Sequence, residues 1–228
     1  MSNPDTKRGR SHNAAGAREA ILNAAEAVFA SHGFDGTRVD AIAEEAGYNK
    51  SLIFQYFGDK LKLYESVLRR ADEQFRGFQN QMFSELAREE TMTNPDQLKS
   101  LFRSFLNAYF DYLVAHPAFV RILNWELAEG WVTYAQIASE RDRDEMSALN
   151  AVLQTVQASG WLRSNITATS QFMLGLFTSQ LYLSLIPLFK AFLPATDWQS
   201  QIGLAQSRDF IVGFVMHGLL TDADEPQA

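Results

Sequence analysis

Cysteine is absent from this chain of 228 residues, and proline occurs only six times. The lack of cysteine excludes disulfide bonds and thiolate metal sites. The four histidines are His12, His32, His116 and His217. None is spaced as in the H-x-x-H or H-x-x-x-H patterns, so we expect no metal site and no cofactor. Because few of the prolines interrupt periodic stretches, the composition favours a helical chain.

Long apolar runs are also missing. No window of about 18 uncharged apolar residues stands out as a membrane span. The nearest segment, residues 172–189, contains Gln, Ser, Thr and Gly and is expected to end near Pro187. The basic N-terminus is not followed by an apolar stretch, so it does not have the form of a secretory signal. We therefore expect a cytoplasmic protein without a membrane partner.

Basic residues are fewer than acidic ones, and the formal net charge is −7 at pH 7. Residues 1–62 nevertheless carry eight Lys or Arg and eight Asp or Glu, so they are neutral. The remaining twelve basic and nineteen acidic residues lie in residues 63–228. Such a distribution would keep the acidic part away from a polyanion and leave the neutral N-terminal part to dock on DNA. A generally acidic cytosolic protein would have the same net charge.

The stretch with the most information is residues 37–63. Thr37 is placed to cap a first short helix, and Gly47 fits the left-handed position at which that helix ends. Asn49 can cap a second helix, and Asp59 can cap a third. A helix, a short turn containing glycine and a second helix are the sequence form of a helix-turn-helix, whose second helix enters the major groove of DNA.

Residues 37–63 resemble the DNA-binding signature of the TetR (tetracycline repressor) family of bacterial regulators. Eight residues match that signature in register: Thr37, Ile42, Ala43, Ala46, Gly47, Phe57, Lys60 and Leu63. Five positions depart from it: Tyr48, Asn49, Ser51, Phe54 and Tyr56. Asn49 preserves the capping chemistry of the usual serine, whereas Phe54 lacks the hydroxyl of the usual tyrosine. The signature covers a small part of the chain, but eight matches at fixed spacing are specific.

Eight residues are predicted to contact DNA: Thr37, Arg38, Asn49, Lys50, Ser51, Gln55, Tyr56 and Lys60. Base edges lie nearest to the N-terminal end of a recognition helix. The base-reading group is therefore Asn49, Lys50, Ser51 and Gln55. Thr37, Tyr56 and Lys60 are assigned to phosphates, which fix the register of the protein on DNA rather than its sequence preference. Phe54 and Phe57 are expected to pack inside the three-helix unit.

The chain is divided into four parts: a flexible basic arm (1–16), a helix-turn-helix domain (17–62), a ligand-binding and dimerisation domain (63–222) and a tail (223–228). The arm has the composition either of a segment that contacts DNA or of a frayed terminus. Periodicity and helix breakers predict an all-α fold of about nine helices. The main predicted helices are 17–32, two within 37–57, Asp59 to Leu86, 97–115, Pro117 to Glu129, one ending at Gly160, 167–189 and 197–219.

The helices at 167–189 and 197–219 are apolar on more than one face. A helix needs only one apolar face to join its own core, so the extra faces predict a second burial partner. The TetR resemblance implies a homodimer whose interface is built from these two helices of each protomer, with two-fold symmetry that matches a palindromic operator. The alternative is a helix pair that is fully buried inside a monomer.

Aromatic residues are frequent after residue 63, and each one taken alone is explained by a packed core. The TetR resemblance implies that together they line an effector cavity between the fourth and eighth helices. The residues assigned to this cavity are Phe75, Phe78, Phe105, Tyr109, Tyr112, Trp125, Trp131, Met173 and Phe177. No cationic cluster lies among them, so an apolar or weakly polar small molecule is expected.

These features favour a ligand-responsive homodimeric repressor that a small effector releases from its operator. The sequence contains no nucleophile elbow, P-loop, dinucleotide fingerprint or metal set, so we expect no enzymatic activity and no catalytic residues. The departures at Tyr48, Phe54 and Tyr56 leave a further alternative. It is an effector-binding regulator that has a weakened DNA-binding part and acts through protein partners.

Overall fold

The structure is a computed structural model that describes residues 5–86, 88, 94–137, 140–163 and 167–221. Within these ranges lie ten helices: α1 (Asp5–Gly36), α2 (Val39–Ala46), α3 (Lys50–Phe57), α4 (Lys60–Leu86), α5 (Pro95–Ala115), α6 (Pro117–Ala128), α7 (Val132–Ile137), α8 (Glu140–Ala158), α9 (Ala168–Phe192) and α10 (Gln201–Leu219). The described residues have no β-strand, only an isolated bridge between Leu162 and Leu220. The predicted all-α fold is confirmed. The tail 223–228 and the side chains of residues 1–13, Phe75 and Phe78 lie outside the described residues.

The contacts within the chain divide it into two units. One, which we call the head unit, contains Met1–Gln74 and Ala118–Ile137, and the other, the body unit, contains Phe75–Pro117 and Ala138–Ala228. The sequence placed the boundary at residue 62 and assigned α6 and α7 to the second domain. The grouping differs because the apolar side of α6 completes the core of the head unit, where Ile122 is only 1% exposed.

The core of the head unit collects one apolar stripe from each of its first four helices. Its fully buried members include Ile21, Phe29, Ile42, Ile53, Leu63 and Tyr64. The rings of Phe29 and Tyr64 meet edge to face, with centroids 4.8 Å apart. Phe57 is buried, as predicted. Because α2 and α3 are only eight residues long, this shared core rather than intrinsic helicity holds them in place.

Helix α1 begins earlier than the sequence predicted. It starts at Asp5 rather than at residue 17, so it includes residues that were assigned to the flexible arm. Residues 14–30 are rich in alanine, which has the highest helix propensity, and Gly16 alone does not end the helix. The helix is interrupted instead at Gly33, the predicted terminator, where φ is 70° and ψ is 179°.

Arg70 joins α4 to α1 inside the head unit. Its guanidinium donates to Glu19 Oε1 at 3.0 Å, to Asn23 Oδ1 at 2.6 Å and to the Leu22 carbonyl at 3.4 Å. It also forms an ion pair with Glu26. The Arg70 side chain is only 17% exposed, so these acceptors and not water satisfy most of its donors.

We expect Arg70→Gln to lower the free energy of unfolding by about 1–3 kcal/mol, because hydrogen bonds to a charged group have that order of strength. Thermal denaturation of the full chain, followed by circular dichroism, measures the change. Arg88→Gln is the matched control. Arg88 pairs with Glu85 at an exposed position, where such a pair is worth about 0–1 kcal/mol. If the two substitutions lowered the free energy of unfolding equally, the role of Arg70 in joining α4 to α1 would be contradicted.

The body unit is organised around α5, α9 and α10, which pack against one another, with α8 against α9. The Phe105 and Phe172 rings stack with centroids 5.4 Å apart. A Cβ atom on Gly175 would lie 2.8 Å from Val215 Cγ1, so α9 and α10 approach closely where glycine has no side chain. At the surface, Arg208 donates to both carboxylate oxygens of Asp111, at 3.1 and 2.8 Å.

The bounds of the last two helices differ from the prediction of 167–189 and 197–219. Helix α9 continues through Pro187 to Phe192. Proline removes a hydrogen bond inside a helix, but the last turn is held by Phe189, whose ring lies 5.7 Å from Tyr182 and 5.2 Å from Trp198. Helix α10 begins at Gln201 rather than at residue 197, because Ser200 caps it by accepting from the Gly203 N–H.

By length and composition α9 is the one helix among the described residues that could cross a membrane. No membrane span was expected from the sequence, because residues 172–189 contain Gln, Ser, Thr and Gly and were expected to end near Pro187. One such helix is weak support for a membrane span, since core helices pass the same test. The buried side of α9 carries the polar residues Gln171, Ser179 and Gln180 and packs against neighbouring helices.

The other side of α9, together with α10, presents large apolar side chains to solvent. On α9 these are Leu174, Leu181, Leu188 and Phe192, and on α10 they are Ile202, Phe210 and Phe214. We call these seven residues the apolar surface. Phe192, Ile202 and Phe210 are 74%, 71% and 69% exposed. Large contiguous apolar patches are uncommon on soluble monomers, so these exposed side chains are a candidate interface.

Candidate DNA-binding surface

The turn between α2 and α3 has the geometry expected of a helix-turn-helix. Gly47 ends α2 in the left-handed region, with φ 70° and ψ 25°. The Tyr48 N–H donates to the Ala43 carbonyl at 3.0 Å, which closes the end of α2. Asn49 Oδ1 accepts from the Leu52 N–H at 2.8 Å and caps α3. The predicted positions of Gly47 and Asn49 are both confirmed.

Thr37 does not cap α2, and that prediction is wrong. The N-cap residue is Arg38, which makes no capping hydrogen bond with its side chain. Thr37 is 3% exposed, and its hydroxyl donates to the Gly33 carbonyl at 2.7 Å. The break at Gly33 takes its carbonyl out of the regular helical hydrogen-bonding pattern, and the Thr37 hydroxyl donates to that carbonyl instead. The Thr37 side chain is therefore part of the connection between α1 and α2.

The solvent-facing side of α3 carries most of the predicted base-reading residues. Asn49, Lys50, Ser51 and Gln55 are all exposed. Ile53 and Phe57, one turn apart, form the buried side, and Tyr56 is half-buried with its ring 6.4 Å from that of Phe57. Helical periodicity thus separates an outer face that can enter a groove from an inner face that holds α3 on the core.

Phe54 lies on the outer face of α3, which corrects the expectation that it packs inside. It is 40% exposed. Residues four apart share one side of a helix, and Phe54 is four residues after Lys50. The Lys50 ammonium lies over the Phe54 ring, 6.0 Å from its centroid, at the outer limit of a cation–π contact.

Lys50 is also held by a residue of α2. Its ammonium lies 2.8 Å from Asp40 Oδ2, with side-chain exposures of 45% for Lys50 and 69% for Asp40. The pair joins the two helices of the motif at its surface. No local sequence pattern indicates this contact, because the two residues are ten positions apart and on different helices.

Lys60 is turned towards the protein. Its ammonium donates to the Thr37 carbonyl at 3.0 Å and lies 4.3 Å from the centroid of the Phe34 ring. The Lys60 side chain is half-buried. Immediately before Lys60, Gly58 ends α3, and Asp59 Oδ1 accepts from the Lys62 N–H at 2.8 Å to cap α4. Lys60 therefore ties the beginning of α4 to the segment that leads into α2.

The head unit contains a buried acid that sequence reasoning missed. Glu126 of α6 is 0% exposed. Its Oε1 accepts from the Tyr64 hydroxyl at 2.7 Å, and its Oε2 accepts from the Tyr134 N–H at 3.0 Å. Burial, followed by the hydrogen bond to Glu126, raises the pKa of Tyr64. This network fixes α6 and α7 to the beginning of α4.

Trp125 and Trp131, assigned to the effector cavity, both belong to the head unit. Trp125 Nε1 donates to the Ala30 carbonyl at 3.3 Å, and a Cβ on Gly33 would lie 2.9 Å from the indole. Trp131 is half-buried, with its ring 5.9 Å from that of Tyr134. An open groove of about 670 Å³ beside Trp125 is lined by Ala30, Ser31, Arg121, Asn124, Trp125 and Ala128. Trp125 therefore packs against α1, and Trp131 packs against Tyr134 of α7.

The remaining described cavity residues lie in the body unit. Phe105, Tyr109 and Tyr112 of α5 are buried, and Met173 and Phe177 of α9 are half-buried. The Tyr112 ring stacks on His116 with centroids 4.1 Å apart. These five residues therefore lie in or beside the aromatic interior formed by α5 and α9. Among the residues that the structure describes, no group of three or more His, Asp or Glu could hold a metal ion.

Two short helices joined by a tight turn, of which the second is capped by Asn49 and exposes Lys50, Ser51 and Gln55, define a helix-turn-helix DNA-binding protein. Comparison with family models gives the same class. Residues 21–67 match the model described as bacterial regulatory proteins, tetR family. Residues 99–215 match the model for the tetracyclin repressor-like C-terminal domain. The chain therefore belongs to the tetR family of bacterial regulatory proteins and is a DNA-binding transcriptional regulator.

Individual relatives extend the match over nearly the whole chain. The transcriptional repressor NicS of Pseudomonas putida is 30% identical over 92% of this chain and 95% of its own length. The transcriptional repressor SCO4008 of Streptomyces coelicolor is 35% identical over 55% of this chain and 56% of its own. A TetR-like regulator from Rhodococcus sp. RHA1 has the same fold, with a TM-score of 0.56 at 16% identity over 89% of this chain and 94% of that one.

Proposed function

We propose that this protein is a cytoplasmic, homodimeric transcriptional repressor that binds a palindromic operator through α3 and is released by a small, largely apolar effector. The observation that carries the proposal is the outer face of α3, where polar side chains stand exposed on a rigid, capped helix. The two relatives NicS and SCO4008 are both named as repressors, which favours repression over activation.

The proposed DNA contacts follow the exposure of the side chains. Lys50, Ser51 and Gln55 are assigned to base edges, since lysine can donate to guanine and glutamine can pair with adenine. Arg38, exposed at the beginning of α2, and Tyr56 are assigned to phosphates. Asn49 acts mainly as a cap because its Oδ1 is used by the Leu52 N–H. Thr37 and Lys60 become supporting residues, because both bond to the protein itself.

Dimerisation is proposed through the apolar surface. The helix-turn-helix of one protomer makes few base contacts, and each is worth about 1–3 kcal/mol of discrimination against a wrong base. A genome offers so many competing sites that a single head lacks the selectivity of an operator-binding protein. Pairing the α9 and α10 helices of two protomers would bury the apolar surface and place two heads on one duplex.

The effector is proposed to bind in the body unit among Phe105, Tyr109, Tyr112, Met173 and Phe177. These side chains are mostly apolar, and the tyrosine hydroxyls supply a few polar groups, which is the usual composition of a small-molecule site. Release of DNA requires that the effector binds one conformation of the dimer better than the other. A thermal-shift screen of small apolar compounds tests this part, since a bound compound stabilises the folded chain.

The recognition helix is tested by Lys50→Ala combined with Gln55→Ala. A duplex selected from a random-sequence library by the wild-type chain serves as the probe. We expect affinity for this duplex to fall roughly 30-fold to 25,000-fold, because two base contacts of about 1–3 kcal/mol each are lost. Electrophoretic shift and fluorescence anisotropy measure the change, and sedimentation checks that the oligomeric state is unaltered.

Lys62→Ala is the matched control for this test. Lys62 is an exposed lysine of α4 whose ammonium lies 3.8 Å from Asp59, so the substitution removes the same charge from the head unit outside α3. We expect it to change affinity much less than the double substitution. Undiminished binding of the selected duplex by the α3 variant would show that the reading surface lies elsewhere.

A further inference from the structure

We propose that Asp40 of α2 is a positioning residue that directs the Lys50 ammonium to base edges and away from phosphates, and so raises the specificity of DNA binding. The inference rests on the proposed function of α3. It concerns a residue on the first helix of the motif, outside the recognition helix. The observation behind it is the ion pair between Asp40 and Lys50, with Asp40 Oδ2 2.8 Å from the ammonium nitrogen.

The position of Lys50 in the fold makes a partner necessary. Lys50 is the first residue of α3, where unpaired backbone N–H groups give the helix end a partial positive charge. A cation at this end is unfavourable unless an anion lies nearby. Asp40 supplies that anion from the neighbouring helix, and the centroid of the Phe54 ring lies 6.0 Å from the same ammonium. The flexible lysine side chain is thereby held near one position.

Lysine can keep this partner and still bind DNA. An ammonium group has three N–H donors, so one can remain on Asp40 while the other two point to acceptors on a base. The O6 and N7 atoms of guanine are two such acceptors in the major groove. A phosphate is a different partner, because its negative charge is repelled by the carboxylate that already lies beside the ammonium.

Loss of the carboxylate changes the balance between these two partners. Without Asp40, the Lys50 side chain is free to reach the nearest phosphate, and phosphates are present on every sequence. Affinity for unrelated DNA then rises, while affinity for the selected site rises little or falls. The specificity ratio, defined as the affinity for the selected duplex divided by the affinity for a shuffled duplex of the same composition, therefore decreases.

Asp40→Asn in the full chain tests the proposal, with duplexes obtained by random-sequence selection on the wild-type protein. We expect affinity for the shuffled duplex to rise about 3-fold to 10-fold, and the slope of log affinity against log salt to steepen by about one, as for one added phosphate contact. The specificity ratio falls correspondingly. Asp40→Glu can still reach Lys50 and is expected to restore part of the ratio.

Two controls separate positioning from a general change in charge. Glu44→Gln removes the same charge from an exposed position on the same helix and is expected to leave the specificity ratio within about twofold, since affinity gained by loss of a general repulsion is shared by all DNA. In a Lys50→Met background, Asp40→Asn is expected to have no further effect on the ratio. Thermal denaturation of each variant verifies that the head unit is folded.

The outcomes distinguish this inference from the proposed function. If the wild-type chain selects no sequence and binds no duplex in a salt-dependent manner, the proposed function fails. If a site is selected but Asp40→Asn leaves the ratio unchanged, the positioning role is overturned. The role is also overturned if Asp40→Asn acts equally with and without Lys50, or if Glu44→Gln lowers the ratio as much.

Discussion

A chain in which Phe210 and Phe214 are both replaced by glutamate is expected to be monomeric and to lose operator binding. These side chains are 69% and 65% exposed in the single chain, so the substitutions do not disturb its core. Full burial of one phenylalanine contributes about 1.5–3 kcal/mol. Four such side chains meet in a symmetric dimer, and the loss of about 6 kcal/mol would raise its dissociation constant roughly 10,000-fold.

Sedimentation velocity and light scattering measure this change directly. The matched control is Leu127→Glu combined with Val132→Glu, which introduces the same charges at two exposed apolar residues of the head unit. This control is expected to remain dimeric. If the variant with Phe210 and Phe214 replaced is still a dimer, the interface lies elsewhere. If it is a monomer that binds the selected duplex with wild-type affinity, operator binding does not require two protomers.

Replacement of Glu126 by leucine is expected to lower the free energy of unfolding by about 2–6 kcal/mol. The substitution removes the Glu126 carboxylate that accepts from the buried Tyr64 hydroxyl and from the part-buried Tyr134 N–H, and a donor left without its acceptor costs about 1–3 kcal/mol when it is buried. Because the network joins α6 and α7 to α4, the loss is expected in the head unit. Hydrogen exchange of α1 to α4 and α6 locates it.

Tyr64→Phe completes a double-mutant cycle with Glu126→Leu. The two changes are expected to be less than additive, because each removes a partner of the same hydrogen bond. Full additivity would mean that the two residues do not act together. Glu44→Gln, at an exposed position of the same unit, is the control and is expected to change stability by no more than about 0.5 kcal/mol.

The same pair makes stability depend on alkaline pH. The pKa of Tyr64 is raised above its ordinary value of 10.0 in the folded chain. Its contribution is therefore fully present below pH 10.0 and decreases as the pH rises further, because the unfolded chain releases the proton first. Wild type should lose stability faster than Tyr64→Phe when the pH is raised above 10.0, as measured by the difference between their denaturation midpoints.

Local chemistry explains which parts of the fold could be predicted from the sequence. Gly47 requires a left-handed conformation and Asn49 caps a helix whatever lies further away, so the turn of the motif followed from five or six neighbouring residues. The all-α fold followed in the same way from periodicity and breakers. These features depend on short-range interactions, which a sequence displays directly.

The errors arise where a contact that the local pattern does not display decides the outcome. Thr37 has the chemistry of a cap, but the break at Gly33 gives it another partner. Pro187 would end an isolated helix, but the Phe189 ring packs against the rings of Tyr182 and Trp198. Tyr64 and Glu126 are 62 positions apart, and no local pattern indicates that they meet.

The candidate site shows the same division. The exposure of Asn49, Lys50, Ser51 and Gln55 could be predicted because it follows from the periodicity of a capped helix; their role in reading bases stays a prediction. The roles of Lys50 and Lys60 could not, because their partners Asp40 and the Thr37 carbonyl come from other segments. The aromatic residues assigned to one cavity fall in two units because composition records how many aromatics are present but not which core each one joins.

The most direct measurement is a selection of duplexes from a random-sequence library by the full chain, followed by determination of the mass of the complex. We expect an enriched palindrome with half-sites about one helical turn apart, bound by two chains or a multiple of two. Substitution of Lys50 and Gln55 should abolish the enrichment. Recovery of no preferred sequence, or of an asymmetric site bound by a single chain, would contradict the account of a symmetric DNA-reading dimer.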